Sequence, residues 1–355
     1  MRDVAVIAFA QTKAVRRETG RNETEMLMEV VGAAFEQAGM PERRADFTCS
    51  GSSDYLSGLP FSFVFALDAV GGWPPIAESH LEMDGAFALF EAWVRLQHGD
   101  MDTALVYAFG KSSTGDIRDV LAAQLDPYTL APLGPDPIAL AALQARAYLD
   151  ATGATERRFA EVAARSRRDA KENPFAQVKG DFDVDAILAA PYIASPLRKH
   201  DCPPISDGAA AVILAAGDRA RALSSRPIWI RGIDHRMEPQ ALGLRDLARS
   251  PSTEKAASRA AEMAEFRASE TDIAELLAPF TPQELILRDA LGLGARTRIN
   301  PSGGALASNP VMVAGLIRLG EAAARIHDGR AKRALAHATS GPCLQHNLVC
   351  LMEAT

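Results

Sequence analysis

The chain has 355 residues, 48% of them hydrophobic and 23% charged, with 38 Lys+Arg against 45 Asp+Glu for a net charge of −7. A chain this apolar buries a sizeable core, which excludes the disordered, collagen-like and disulfide-stapled classes. Its mild acidity leaves no electrostatic footprint for a nucleic-acid partner.

In chain order, the opening MRDVAVIAFAQTK holds too few apolar residues for a signal segment or for a membrane span of roughly 20 residues. The expectation is a cytoplasmic protein without a membrane partner. Residues 2–10 alternate around Val4, Val6 and Phe9 as a buried strand, and residues 23–40 carry apolar side chains at helical spacing, ending near Gly39. After a Gly/Pro-rich stretch (57–75), Asp84-Gly85 opens a helix whose apolar face includes Phe87, Leu89, Phe90, Trp93 and Leu96. Asp before Gly-Ala-Phe reads as an N-cap. TALVYAFG (103–110) is then a strand.

The same order recurs later. RPIWIRGI (226–233) predicts a strand, 253–269 a helix, NPSGGALASNP (300–310) a Gly-rich turn, 311–327 an apolar helix and ALAHATSG (334–341) a strand in the place of TALVYAFG. QHGDMDTALVYAFG (97–110) parallels IHDGRAKRALAHATSG (326–341), which points to an internal duplication. Strand and helix alternate in both halves, which predicts α/β layers. Between the halves, 115–205 differs in texture: QLDPYTLAPLGPDP is a proline-rich loop and TERRFAEVAARSRRDAKENPFAQ a charged surface helix. CPPISDGAAAVILA (202–215) closes this segment with small residues that let its backbone pack tightly. Cys49, Cys202, Cys343 and Cys350 form no CxxC or His/Cys ladder, so reduced thiols and no metal site are expected.

At SDGAAAVIL (206–214), NPSGGALASNP and the repeated turn-helix-strand pattern, the chain resembles the thiolase superfamily. Within it, the resemblance is to the branch of sterol-carrier-protein-associated thiolases and bacterial lipid-transfer proteins related to steroid side-chain aldolases. It covers essentially the whole chain. It implies a duplicated five-layer αβαβα fold with an inserted loop domain: an N-terminal half at 1–220 that includes the loop domain at 116–202, and a C-terminal half at 221–355. Dimerisation is usual in the family.

Thiolases place a cysteine thiolate at a helix N-terminus, where the dipole and free N–H groups lower the thiol pKa. The family's Cys-Ala-Ser-Gly turn falls here on Glu82-Met83-Asp84-Gly85, so Glu82 stands at the nucleophile position. A carboxylate is a poor carrier of an acyl group, and thioester exchange through this position is not expected. The family's Gly-His-Pro falls on Ser308-Asn309-Pro310, and Asn309 donates hydrogen bonds but shuttles no proton. A third family position falls on Leu277, which removes a polar group from the oxyanion hole. HATSGPCLQHN (337–347) keeps His337, Cys343, Gln345 and His346 where the family places its second catalytic cysteine or a histidine.

Each candidate also has a structural alternative. Glu82 reads as a general base or as an inert acid pairing with a cation or dipole-end N–H groups. His337 reads as a base at a strand end or as a satisfied core histidine, and Cys343 as a thiol activated by His346 or as a buried structural cysteine. Asn309 reads as a donor to a thioester oxygen or as a brace for the Gly303-Gly304 turn. Gly303 and Gly304 allow positive φ or close backbone approach, and backbone N–H groups near Gly304 are candidate donors to the substrate. Arg198 and Lys199, with His200, read as contacts for the phosphates of coenzyme A or as a solvated basic face.

Three functions compete. The first is retro-aldol cleavage of a β-hydroxyacyl-CoA, which needs a base (His337 or His346) and enolate donors but no covalent cysteine. Coenzyme A enters only as part of the thioester substrate, with no permanently bound cofactor. The resemblance adds a zinc-ribbon/OB-fold partner, while all five tyrosines lie before the second half, a departure from tyrosine-using relatives. The second is a non-catalytic subunit that scaffolds a thiolase-like paralogue or that partner, in a heteromer or homodimer. The third is a lipid or sterol carrier.

Overall fold

Runs that are apolar without alternation are buried along almost their whole length, as strands covered on both faces must be. TALVYAFGK and DGAAAVILAA are two such strands at the centre of the first half. The computed structural model describes residues 1–354. Its first half runs β1 (Val4–Gln11), α1 (Glu23–Gln37), β2 (Phe47–Gly51), α2 (Asp54–Ser57), α3 (Phe63–Val70), β3 (Glu78–Leu81), α4 (Gly85–Gln97) and β4 (Thr103–Lys111). The middle segment holds α5 (Ile117–Ala123), α6 (Pro137–Thr152), α7 (Glu156–Asp169), α8 (Val184–Ala189) and a small hairpin of β5 (Tyr192–Ala194) and β6 (Leu197–Arg198). The chain returns through β7 (Asp207–Ala216) and α9 (Gly217–Leu223). The second half is β8 (Ile228–Met237), α10 (Pro251–Ala264), β9 (Ile273–Leu276), α11 (Thr281–Ala290), β10 (Arg298–Ile299), α12 (Gly304–Ala307), α13 (Ala314–His327), β11 (Arg333–Ser340) and β12 (His346–Ala354).

The duplication expected from the sequence is written into the topology. Outward from the centre, the first half orders its strands β1-β7-β4-β2-β3 and the second β8-β12-β11-β9-β10. The senses match strand for strand: antiparallel for the first two pairings and parallel for the last two in each half. The halves join at β1 and β8 through Ala5↔Trp229 and Val6↔Ile228. Helices α4 and α13 fill the space between the half-sheets in one apolar cluster that includes Leu89, Leu96, Leu316 and Ile326 with Val106, Val212, Leu348 and Met352. Outside, α1 and α3 cover the first half-sheet and α10 and α11 the second. The result is five αβαβα layers.

Helix α7 departs from the reading of it as a surface helix. Phe159, Val162 and Arg167 are buried, because one of its faces packs on the middle segment and on the NPSGG turn, while Arg157, Arg158 and Arg168 stay in water. No helix among the described residues is long and apolar enough to cross a membrane.

Candidate functional site

The two central helices start side by side, and one carboxylate closes both. Asp84 is the N-cap of α4, where its Oδ1 accepts the Ala86 N–H at 2.8 Å. The same oxygen accepts the Leu316 N–H at 3.1 Å and its Oδ2 the Gly315 N–H at 2.9 Å, both in the first turn of α13. The orphan donors of two helix N-termini thus converge on one side chain that is 4% exposed. Burial pushes its carboxyl upward, against the pull of these three donors and of Arg318. The approach needs glycine on both helices. A Cβ on Gly315 would lie 2.3 Å from Asp84 Oδ1 and 2.8 Å from Ala338 Cβ, and one on Gly85 would lie 2.6 Å from Ala108 Cβ. Ala108 and Ala338 sit on the equivalent strands β4 and β11, so the pseudo-symmetry extends to single contacts.

Glu82, just before this cap, has a half-exposed side chain, 45% accessible. Its Oε1 accepts the Asp54 N–H at 2.6 Å and its Oε2 lies 3.6 Å from His80 Nε2. His80 Nδ1 is 3.0 Å from Ser50 Oγ, and the ring stacks on Phe63 at 4.6 Å. Burial lowers the His80 pKa, with Glu82 pulling the other way. Ser50 pairs across the sheet with both His80 and Tyr107, so a polar row crosses β4, β2 and β3 on the face covered by α1 and α3. Glu82 is therefore held toward α2 and His80.

Asn309 is half-buried. Its backbone N–H donates to Ser206 Oγ at 3.0 Å, joining the SDG and SNP turns, and its side-chain amide has no partner among the described residues. Asn300, not Asn309, braces the Gly303-Gly304 turn: its Oδ1 accepts the Leu276 N–H at 2.6 Å and its Nδ2 donates to Glu284 at 3.0 Å. Beneath the turn, buried Glu275 accepts from Ser302 Oγ at 2.6 Å and from Arg318 at 2.8 Å, with Arg325 at 3.5 Å. That one carboxylate, on β9, ties the NPSGG turn to α13.

Several expected site residues are committed elsewhere. His337 is sealed in the core with 0% exposure; its Nε2 faces Asn347 Oδ1 at 3.1 Å, and burial drops its pKa to about 4. It meets no solvent, so the reading as a substrate-facing base fails. Cys343 is buried under Leu140, with Sγ 3.4 Å from the Leu140 carbonyl oxygen, and desolvation pushes its thiol up to about 11. Burial thus disfavours the thiolate that an activated cysteine needs. Arg198 is buried and spends its guanidinium on Glu156 at 2.6 Å and on the Tyr192 ring at 4.3 Å, so it does not face a phosphate; Lys199 beside it is exposed. Gly303 (φ 93°) and Gly304 (φ 62°) have the positive φ expected. Their N–H groups donate inward, to Asn300 O at 2.9 Å and Ser302 Oγ at 3.2 Å, and are not free for a substrate oxygen. Leu277 is core, its N–H on the His337 carbonyl oxygen at 3.0 Å.

His346 is half-buried, edge-on to Phe87 at 6.4 Å. Burial, then the charges of His235 and Arg245, lower its pKa, which keeps the ring neutral at pH 7. His235 stands in the same aromatic corner, 4.7 Å from Phe90. The sequence offered no signal for His235, because β8 and β12 meet only through the sheet. Two surface hollows of about 500 and 400 Å³, one lined by Arg146, Asp150 and Glu156 and the other by Arg44, Asp46 and Met101, include neither Glu82, Asp84, Asn309 nor His346 in their walls. Among the described residues, no group of three or more His, Cys, Asp or Glu side chains is arranged to hold a metal ion.

No protein-family model matches the chain. It is 29% identical to the acetyl-CoA acetyltransferase of Methanothermobacter thermautotrophicus, over 98% of this chain and 96% of that protein. It is 24% identical to sterol carrier protein 2 of Oryctolagus cuniculus, over 97% of this chain and 70% of that protein. Over 58% of this chain and 60% of that protein it is 27% identical to benzoylsuccinyl-CoA thiolase subunit BbsB of Thauera aromatica. In fold it matches the Ltp2-ChsH2(DUF35) aldolase, with a TM-score of 0.83 at 21% identity over 99% of this chain and 98% of that one. It also matches a monomeric SCP2-thiolase-like protein type 1 from Mycobacterium smegmatis, with a TM-score of 0.79 at 18% identity over 99% and 76% of the two chains. The duplicated five-layer core is thus the thiolase fold. In sequence the chain is similar to members of the thiolase superfamily, among them sterol carrier protein 2.

Proposed function

We propose that this chain is the thiolase-fold subunit of an assembly that acts on acyl-CoA thioesters, and that it forms no acyl-enzyme. Glu82 and Asp84 carry this reading. Where the family sets a thiolate on a helix N-terminus, this chain sets two carboxylates, and Asp84 takes the donors of both central helices for itself. A pair of carboxyl groups whose neighbouring donors are already taken neither attacks a thioester nor cradles an oxyanion.

Retro-aldol cleavage of a β-hydroxyacyl-CoA, in lipid or steroid side-chain breakdown, is the reaction that fits such an assembly. One base takes the β-hydroxyl proton, the Cα–Cβ bond breaks to release a carbonyl product, and the electron pair stays on the thioester enolate until it is protonated. The relatives named as a two-protein aldolase and as a thiolase subunit support a heteromeric setting. A zinc-ribbon/OB-fold protein or a thiolase-like paralogue is the partner we assign, in the cytoplasm. In a second reading this chain supplies the base itself: His346 is half-buried and neutral, and Asn309 has a free amide.

Co-expression with neighbouring thiolase-like and OB-fold chains, followed by assay of a branched β-hydroxyacyl-CoA, tests the proposal. The subunit reading predicts cleavage only by the assembly, undiminished by His346→Ala in this chain. Cleavage by the isolated chain, abolished by His346→Ala, overturns it in favour of the second reading.

A further inference from the structure

Among the described residues four arginines are buried, and three of them are paired: Arg198 with Glu156 at 2.6 Å, Arg318 with Glu275 at 2.8 Å and Arg325 with Glu275 at 3.5 Å. Arg167 is the exception. It is 3% exposed, its Nε and Nη1 have no partner, and no carboxylate among the described residues lies within ion-pair distance of it. Its neighbour Arg165, on the other face of α7, is paired with Glu284. An unopposed buried guanidinium is costly, and removing such a charge is normally stabilising.

The groups around Arg167 deepen the imbalance. Cys202 faces it as a neutral thiol, its pKa pushed up to about 12 by burial. His200 adds a buried, unpartnered Nδ1 on a ring 4.8 Å from Phe182, and the 199–201 turn that carries it packs on α7. From surface to interior the cluster runs Lys199 (exposed), His200 (half-buried), Arg167 (buried). Three nitrogen-bearing groups graded inward, with open donors and no internal anion, match a tetrahedral oxyanion.

We propose that Arg167, His200 and Lys199 form a binding site for a phosphate-type oxyanion in the middle segment, entered from the Lys199 side. The site stands on its charges; only its coenzyme A occupant rests on the acyl-CoA reading. Its occupant is either free phosphate or a phosphate group of coenzyme A, and the test separates the two.

The full chain is titrated with inorganic phosphate by calorimetry and by thermal unfolding at constant ionic strength, with chloride as control. Saturable binding that raises the unfolding midpoint is expected. Arg167→Met removes the charge but keeps the stem, and should weaken binding by about tenfold or more while leaving the phosphate-free midpoint unchanged or raised. The double variant His200→Gln/Lys199→Gln should also weaken binding by about tenfold, and it serves if Arg167→Met does not fold. Displacement of phosphate by coenzyme A but not by dephospho-coenzyme A assigns the occupant as the 3′-phosphate; displacement by neither assigns free phosphate. Absence of saturable phosphate binding beyond the chloride control, or unchanged affinity in these variants, overturns the proposal.

Discussion

Replacing Asp84 tests whether one carboxylate holds both central helices. Asp84→Ala strands the N–H groups of Ala86, Gly315 and Leu316 in a site that is 4% exposed. A buried donor left unsatisfied costs about 1–3 kcal/mol. The three share one acceptor group, and deleting a buried carboxylate returns its desolvation cost, so the net loss is about 2–4 kcal/mol rather than the sum. Asp84→Asn separates charge from geometry. Oδ1 still serves Ala86 and Leu316, while the amide NH₂ replaces Oδ2 and turns a donor onto the Gly315 N–H, for a loss of about 1–3 kcal/mol. Urea unfolding at pH 7, followed by circular dichroism, should rank wild type above Asn above Ala. An Ala variant within about 0.5 kcal/mol of wild type, or an Asn variant equal to wild type, would refute the shared-cap argument.

Gly315→Ala drives a methyl to 2.3 Å from Asp84 Oδ1 and should cost at least about 2 kcal/mol; combined with Asp84→Ala it should cost less than the sum of the two, because the clashing oxygen is gone. His337, held near pKa 4 against about 6.5 when unfolded, binds fewer protons in the native state across that window. Stability is therefore lost as pH falls through it, by about 2 kcal/mol at pH 5 from this residue alone. His337→Gln should flatten the urea midpoint between pH 7 and pH 5 relative to wild type, and an unchanged slope would remove the assignment. All four cysteines are buried, with Cys49 and Cys202 pushed to about 12 and Cys343 to about 11. A disulfide reagent at pH 8 should label the native chain slowly and all four thiols quickly after unfolding; one fast native thiol would contradict this.

The α/β layering was legible because strand and helix signals repeat in order, and β4 and β11 occupy equivalent places as the parallel segments indicate. The Asp84 cap was legible too, since an N-cap is a local event. Its second half was not: Gly315 lies 231 positions away and only the packing of α13 on α4 brings it there. The same limit governs the misplaced site residues. His337 stands at a strand end by pattern, yet it shares the face of Leu335, where Asn347 and the start of α10 close over it. Arg198 looks free in a basic run until Glu156, 42 positions earlier, folds against it. Asn309 and Asn300 are equivalent candidates for bracing a glycine turn by composition, and only the side-chain directions choose Asn300. Arg167 was hidden in a charged helix because sequence does not tell which of its arginines faces inward without a partner.

The absence of an acyl-enzyme is tested most directly by intact-mass spectrometry of the chain after incubation with acetyl-CoA and with a longer acyl-CoA, quenched in acid. The chain should keep its unmodified mass at every time point, with a carboxylate, Glu82, ahead of the α4 cap and every thiol buried. A time-dependent mass increase equal to the acyl group, mapping to any residue of the Glu82 turn or to Cys343, would contradict that.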